Sequence, residues 1–107
     1  MADTANWLGY EFEVHDAYDV SYDWNAVGGL YVFAGKGRFP GGALGWKALY
    51  VGQTQDFSDR LPNHEKWRAA EKLGATHIHA MVEESAVRRL EIEEILVGFY
   101  EPPLNKT

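Results

Sequence analysis

Two short apolar runs on either side of a glycine-rich connection constrain this chain more than any other feature. Leu30-Tyr31-Val32-Phe33-Ala34 and Ala48-Leu49-Tyr50-Val51-Gly52 have the length of strands, and their β-branched and aromatic residues suit a pleated, half-buried surface. From Gly35 to Gly45 the chain carries five glycines and Pro40 in eleven residues, which predicts a loop. Two such runs joined this way predict an antiparallel hairpin with Tyr31 and Tyr50 side by side or diagonally across.

The next stretch supplies the rest of a unit. Gly52 closes the second run, a small polar cluster follows, and Arg60 appears near the start of a helical pattern. A tyrosine at the end of a strand and an arginine in the following turn both point at whatever sits above that turn. Free N–H groups at a helix start make an anion, a phosphate above all, the natural guest. Ser58 is the expected cap of a short turn over 56–61, and a helix with Pro62 in its first position is expected to run to about Leu73, where Gly74 ends it. Ala75 to Val82 reads as a third strand. Ile78, Ala80 and Val82 fall on one face, and His77, His79 and Met81 fall on an ordinary exposed one. Ser85 opens a last helix that runs to about Tyr100, before Pro102-Pro103 stops it. Tyr10 to Val14 alternates apolar and acidic residues, so residues 1–27 are expected to form an extra edge strand and a packed arm. The expected architecture is a single α/β domain. Residues 28–107 form a small, mainly antiparallel three-stranded sheet flanked by helices, with the N-terminal strand or arm added to it.

At 107 residues, 46% of them hydrophobic, the chain can bury a core without staples. It has no cysteine, which removes a disulfide framework and a thiolate zinc site. Its start lacks a basic region followed by an apolar run, and no apolar stretch is long enough to cross a bilayer, so a cytoplasmic protein without membrane contact is expected. The net charge of −6 argues against a tight grip on nucleic acid, but its distribution does not. Residues 1–35 hold six acids and no Lys or Arg, whereas residues 36–72 hold seven bases against four acids. The one net-positive third contains Arg60, as a phosphate-facing surface requires.

Five ordered features resemble the GIY-YIG nuclease family over residues 28–105. Gly29-Leu30-Tyr31 is similar to its first tripeptide, and Tyr50-Val51-Gly52 to its second. Arg60 follows Tyr50 by ten residues, Glu93 precedes the apolar pair Leu96-Val97, and Asn105 follows Pro102-Pro103. The resemblance implies an endonuclease that hydrolyses phosphodiester bonds, in DNA more than in RNA. It implies a divalent metal, magnesium or else manganese, held by Glu93. It also implies that Tyr31 activates the attacking water, that Tyr50 shapes the site, that Arg60 holds the phosphate, and that Gly29, Gly52 and Asn105 serve structure. Some members carry a histidine at the position of His64. The connection between the tripeptides is longer than the family's usual one and reads as an insertion. The family often joins its nuclease to a separate DNA-binding domain. None is expected here, so specificity is expected from a partner chain, a homodimer or the 35–47 loop.

The residues themselves frame these roles. Arg89, Leu90, Leu96 and Val97 lie three or four positions from Glu93, so its carboxylate leaves a largely apolar surface and needs a partner. A magnesium ion is one answer; an ion pair with Arg89 or Arg60 is the other. Glu91 and Glu94 are the alternates for the metal role. A free phenol titrates near pH 10, so Tyr31 needs nearby positive charge to act as a base. His64 shares a face with Arg60 if the turn stays helical, and would exchange a proton near neutral pH. His77 and His79 share a strand face, but no third metal ligand accompanies them. Lys36 and Lys47 flank the hairpin loop, where they would track a phosphate backbone. Asn105 is expected to anchor the C-terminal segment to the sheet through its side chain. A binding module on the same scaffold, recognising protein or nucleic acid without cutting, is the alternative.

Overall fold

A computed structural model describes residues 3–19, 21–38 and 44–105. They form one antiparallel sheet of five strands, β1 (Thr4–Trp7), β2 (Tyr10–Asp16), β3 (Gly29–Arg38), β4 (Leu44–Thr54) and β5 (His77–Val82), in the order β1-β2-β5-β3-β4. The α/β class, the antiparallel pairing and the flanking helices agree with expectation, but the sheet is five strands wide rather than three. Phe12 and Trp7 explain the extra width. Both join the core cluster of Leu30, Val32, Ile92 and Leu96, so the acidic N-terminal segment buries one face of a hairpin instead of lying over the domain. Leu8 and Gly9, both at positive φ (53° and 90°), make its tight turn. β1 becomes the edge and β2 an interior strand paired with β5.

The β3–β4 hairpin is longer than the two apolar runs. The strands continue through Gly35 to Arg38 and resume at Leu44, so part of the expected loop is paired strand; residues 39–43 lie outside the described residues. A register shift opposite Phe33 and Ala34 skips Leu49, so Phe33 faces Tyr50 and Ala34 faces Ala48. This bulge turns Tyr50 onto the face of Leu49 and Phe33, while Ala48 and Val51 stay on the other.

Helices cover both faces. On one, α3 (Ala86–Tyr100) buries Ile92 and Leu96, and the ring of Tyr100 meets Trp7 edge-on at 5.0 Å. On the other lie α1 (Phe57–Arg60), a 3-10 turn (Leu61–Asn63) and α2 (Trp67–Lys72), packing Phe57, Leu61 and Ala70 against Tyr31, Phe33 and Ile78. The expected helix from Pro62 begins only at Trp67, because Pro62 and the turn around it redirect the chain. Asp56, not Ser58, caps α1, with its carboxylate accepting from the Ser58 N–H at 2.9 Å. Ser85 does cap α3, and Glu101 closes it in the left-handed conformation just before Pro102.

The histidine face of β5 is not an exposed one. His79 has no exposed surface, accepts a 3.0 Å hydrogen bond at Nδ1 from the Trp7 indole, and meets Trp46 edge-on at 4.6 Å. Together with half-buried His77 it belongs to the layer under α3.

Candidate active site

Four of the five residues expected to carry chemistry, Tyr31, Tyr50, Arg60 and His64, meet on the sheet face covered by α1 and α2, and the fifth, Glu93, acts electrostatically on the two tyrosines. Tyr31 pairs with Gly52 across the hairpin. A methyl group added at Gly52 would stand 2.5 Å from both Cζ and Oη of Tyr31, so the phenol ring lies directly over a position that only glycine leaves open. Gly29 works similarly at the other end, where a methyl would sit 2.1 Å from the Met81 carbonyl oxygen and 2.5 Å from the Phe57 ring. The two tripeptide glycines thus fix where Tyr31 and α1 rest. Tyr50 lies diagonally from Tyr31, ring centroids 6.3 Å apart.

His64 reaches this site although Pro62 interrupts the helix. As the residue closing the 3-10 turn it takes extended backbone dihedrals (φ −90°, ψ 128°), which direct it under the sheet. Its Nε2 lies 2.6 Å from the Tyr31 hydroxyl, and its Nδ1 accepts the Lys66 backbone N–H at 3.0 Å. With Nδ1 accepting, the proton of a neutral ring belongs on Nε2, so His64 donates to Tyr31. Burial, then the charge of Arg60, holds His64 down to about 4, which makes it a neutral donor at neutral pH rather than a near-neutral proton exchanger.

The Arg60 guanidinium forms a two-pronged pair with Glu65, Nη1 to Oε2 at 2.5 Å and Nη2 to Oε1 at 2.7 Å. That pair holds the Glu65 carboxyl down to about 2. Glu65 went unnoticed in the sequence because it lies five residues after Arg60, off the helical spacing; the 3-10 turn closes the gap. A pocket of about 330 Å³ opens beside it, lined by His64, Trp67 and Arg68 among others.

Burial drives the Tyr31 phenol well above its ordinary value, and the charges of Tyr50 and Glu93 add to this, while the adjacent Arg60 pulls it down. Tyr50 is raised in the same way, by burial first and then by Glu93. The helix of Glu93 packs on the opposite sheet face. Because the Tyr31 ring reaches across Gly52 toward the β4 edge, both phenols nevertheless feel its charge. Glu93 is half-buried. Desolvation raises its carboxyl, partly offset by the Gln53 backbone N–H. Its expected ion-pair partner is engaged elsewhere: buried Arg89 donates to the Gln53 side chain (3.0 Å) and to the Glu83 and Glu84 carbonyls (3.0 and 2.9 Å). Among the described residues Glu93 has no salt bridge. A half-buried carboxylate without a cation fits one divalent ion whose other positions go to water and phosphate. No cluster of three His, Cys, Asp or Glu that could hold a metal exists among the described residues, so an ion here would have fewer than three such ligands. Glu91 and Glu94 are exposed on the outer side of α3 beside Ile95 and Gly98, away from the phenols.

Asn105 anchors the C-terminal segment as expected. Its Oδ1 accepts from Val51 N and its Nδ2 donates to Val51 O, both at 2.8 Å, which satisfies the open edge of β4. The two lysines do not form one track. Lys36 pairs with Trp46, with its ammonium 5.5 Å from the Trp46 ring, on the α3 face. Lys47 pairs with Gly35 and so leaves by the face of Tyr50 and Arg60. Among the described residues no helix is long and apolar enough to cross a membrane. The chain matches no family model, no curated protein and no solved structure in the comparisons made with it.

Proposed function

We propose that this chain is a metal-dependent endonuclease of the GIY-YIG type, hydrolysing phosphodiester bonds in DNA. One observation carries the reading: the Tyr31 hydroxyl sits 2.6 Å from the His64 Nε2 donor and beside the Arg60 guanidinium, which works against the burial that raises the phenol. These residues are far apart in sequence, and a structural tyrosine has no need of that combination.

Each side chain then has a task. Arg60, charged at all relevant pH, exchanges its exposed Glu65 partner for a substrate phosphate and offsets the charge that builds during attack. The His64 Nε2–H donates to Tyr31 Oη and, with Arg60, stabilises negative charge on that oxygen. These two influences oppose the burial that raises the phenol; once its proton has passed to solvent, the phenolate takes one from the attacking water. Neutralising Glu93 removes one of the effects that raise Tyr31, so occupancy at Glu93 and ionisation of Tyr31 are coupled. Tyr50 closes the side of the site next to Glu93 and limits entry of bulk water. Glu93 would hold the magnesium or manganese ion, which would supply Lewis-acid stabilisation of the leaving oxygen.

Plasmid nicking in magnesium or manganese tests the reading. The expected outcome is cleavage that EDTA abolishes and that Glu93→Gln and Arg60→Ala each reduce by about a hundredfold or more. Cleavage indifferent to both substitutions would remove it. The alternative, a non-catalytic binding module, draws support from the Glu65 carboxylate already occupying Arg60 and from the net charge of −6. Binding of DNA or protein that persists in EDTA, with no nicking, would select it.

A further inference from the structure

A second concave site lies on the same sheet face, made of residues the proposed hydrolysis does not use. Strand alternation sends Glu11, Glu13 and His15 of β2 to one side, and the segment returning to β3 folds Tyr22 and Trp24 over them. Tyr22 stacks on His15 with centroids 4.2 Å apart, and Trp24 stands edge-on to both, 5.1 Å from His15 and 4.8 Å from Tyr22. Two aromatic walls therefore meet at a corner, with Phe57 5.9 Å behind Trp24. The half-open space, about 260 Å³, has room for a whole long side chain.

The chemistry of the pocket is one-sided. Its charged groups are the Glu11 and Glu13 carboxylates, and among the described residues neither Lys nor Arg lines it. The His15 ring is largely buried, and its Nε2 has no hydrogen-bond partner among the described residues; the nearest carboxylate oxygen, on Glu13, is 3.4 Å away. At the mouth of the cavity, Val82, one of its lining residues, is 61% exposed and forms an apolar rim.

We propose that this pocket binds the guanidinium of an arginine side chain presented by a partner polypeptide. A guanidinium stacks flat on an aromatic face, forks two N–H donors onto one carboxylate, and has further donors for the second. A lysine ammonium lacks the planar fork, and a quaternary ammonium has no donor at all, so neither satisfies the two carboxylates and the aromatic face together. The exposed apolar rim beside the cavity favours an arginine within a polypeptide over the free amino acid. The inference does not depend on the hydrolytic reading, since none of these residues serves it.

The test follows the indole N–H of Trp24 by NMR as N-acetyl-arginine methylamide is added, with the matched lysine and trimethyllysine compounds and free arginine as comparisons. The expected result is a saturable shift at Trp24. The lysine and trimethyllysine probes should bind at least fivefold more weakly, and free arginine should bind no more tightly than the blocked form. Glu13→Gln, a change at an exposed carboxylate, should weaken arginine binding about tenfold, while Glu94→Gln on α3 should leave it unchanged. The proposal is overturned by an unsaturable or absent shift, equal or tighter binding of either lysine probe, tighter binding of free arginine, or indifference to Glu13→Gln.

Discussion

His79 and His64 are both buried, and burial lowers both from 6.5 to about 4, yet the regions around them do opposite things. His79 lies under α3, takes its hydrogen bond from Trp7, and is walled by Trp46, with a buried Nε2 that has no partner among the described residues. Its surroundings are apolar and its one bond joins β1 to β5. His64 lies on the other face, and its hydrogen bond leads to the Tyr31 phenol and from there into the fields of Arg60 and Glu93. Burial and a shifted pKa therefore do not mark a functional site by themselves; what marks one is the chemistry of the next group along.

The strongest way to break this comparison is to remove each imidazole. His64→Phe is expected to lower the proposed cleavage about a hundredfold through loss of the donor to Tyr31, measured as initial nicking rate. His79→Phe should leave that rate near the original while costing about 1–3 kcal/mol in urea unfolding, because the Trp7 N–H loses its acceptor in a dry layer. If the two variants exchange these effects, the distinction fails.

A second test concerns space rather than hydrogen bonding. Gly52→Ala forces a methyl against the Tyr31 ring and should cost about 1–3 kcal/mol, with the ring and its hydroxyl displaced. Gly98→Ala on exposed α3, where nothing lies within 4 Å, should instead stabilise by up to about 1 kcal/mol. Equal effects would mean that Tyr31 is not seated on Gly52.

The pH dependence of stability sharpens the comparison without changing the chain's shape. Both histidines bind protons less readily when folded, so the unfolded chain carries the extra protons between about pH 4 and 6.5. Stability should be fully present above that window and fall as pH drops through it, each histidine contributing at most about 1.4 kcal/mol per pH unit. His79→Phe should flatten the slope and His64→Phe should flatten it further. A slope unchanged in the double variant would assign the dependence to other groups.

The smallest expected effect belongs to the exposed pair. Glu65→Gln frees Arg60 and should raise affinity for inorganic phosphate about threefold at low salt, since an exposed ion pair is worth up to about 1 kcal/mol. High salt should erase the gain. Weaker phosphate binding in this variant would mean that Glu65 orients Arg60 rather than occupying it.

Much of the architecture was legible because it rests on local periodicity and punctuation. The three main strands, the Ser85 cap, the stop at Pro102 and the anchoring by Asn105 all follow from residue type and spacing. The burial of His79 was not, since it depends on Trp7 and Trp46 arriving from strands far away in sequence. The bulge at Leu49, which turns Tyr50 toward Tyr31, is set by pairing with β3 rather than by any turn residue. The Arg60–Glu65 pair likewise depends on how the chain turns around Pro62. Tyr31, Tyr50, Arg60 and His64 were identifiable as candidates, but the direction in which Tyr31, Tyr50 and His64 shift was not, because burial outweighs the charges that spacing alone suggests.

The most direct test of the central claim, that Glu93 holds a divalent ion beside Tyr31 and Tyr50, is paramagnetic broadening of NMR signals by manganese. The account expects substoichiometric manganese to broaden Gln53, Tyr50, Tyr31 and Glu93 first, and Glu93→Gln to abolish the effect. Broadening centred elsewhere, or unchanged in Glu93→Gln, would contradict it.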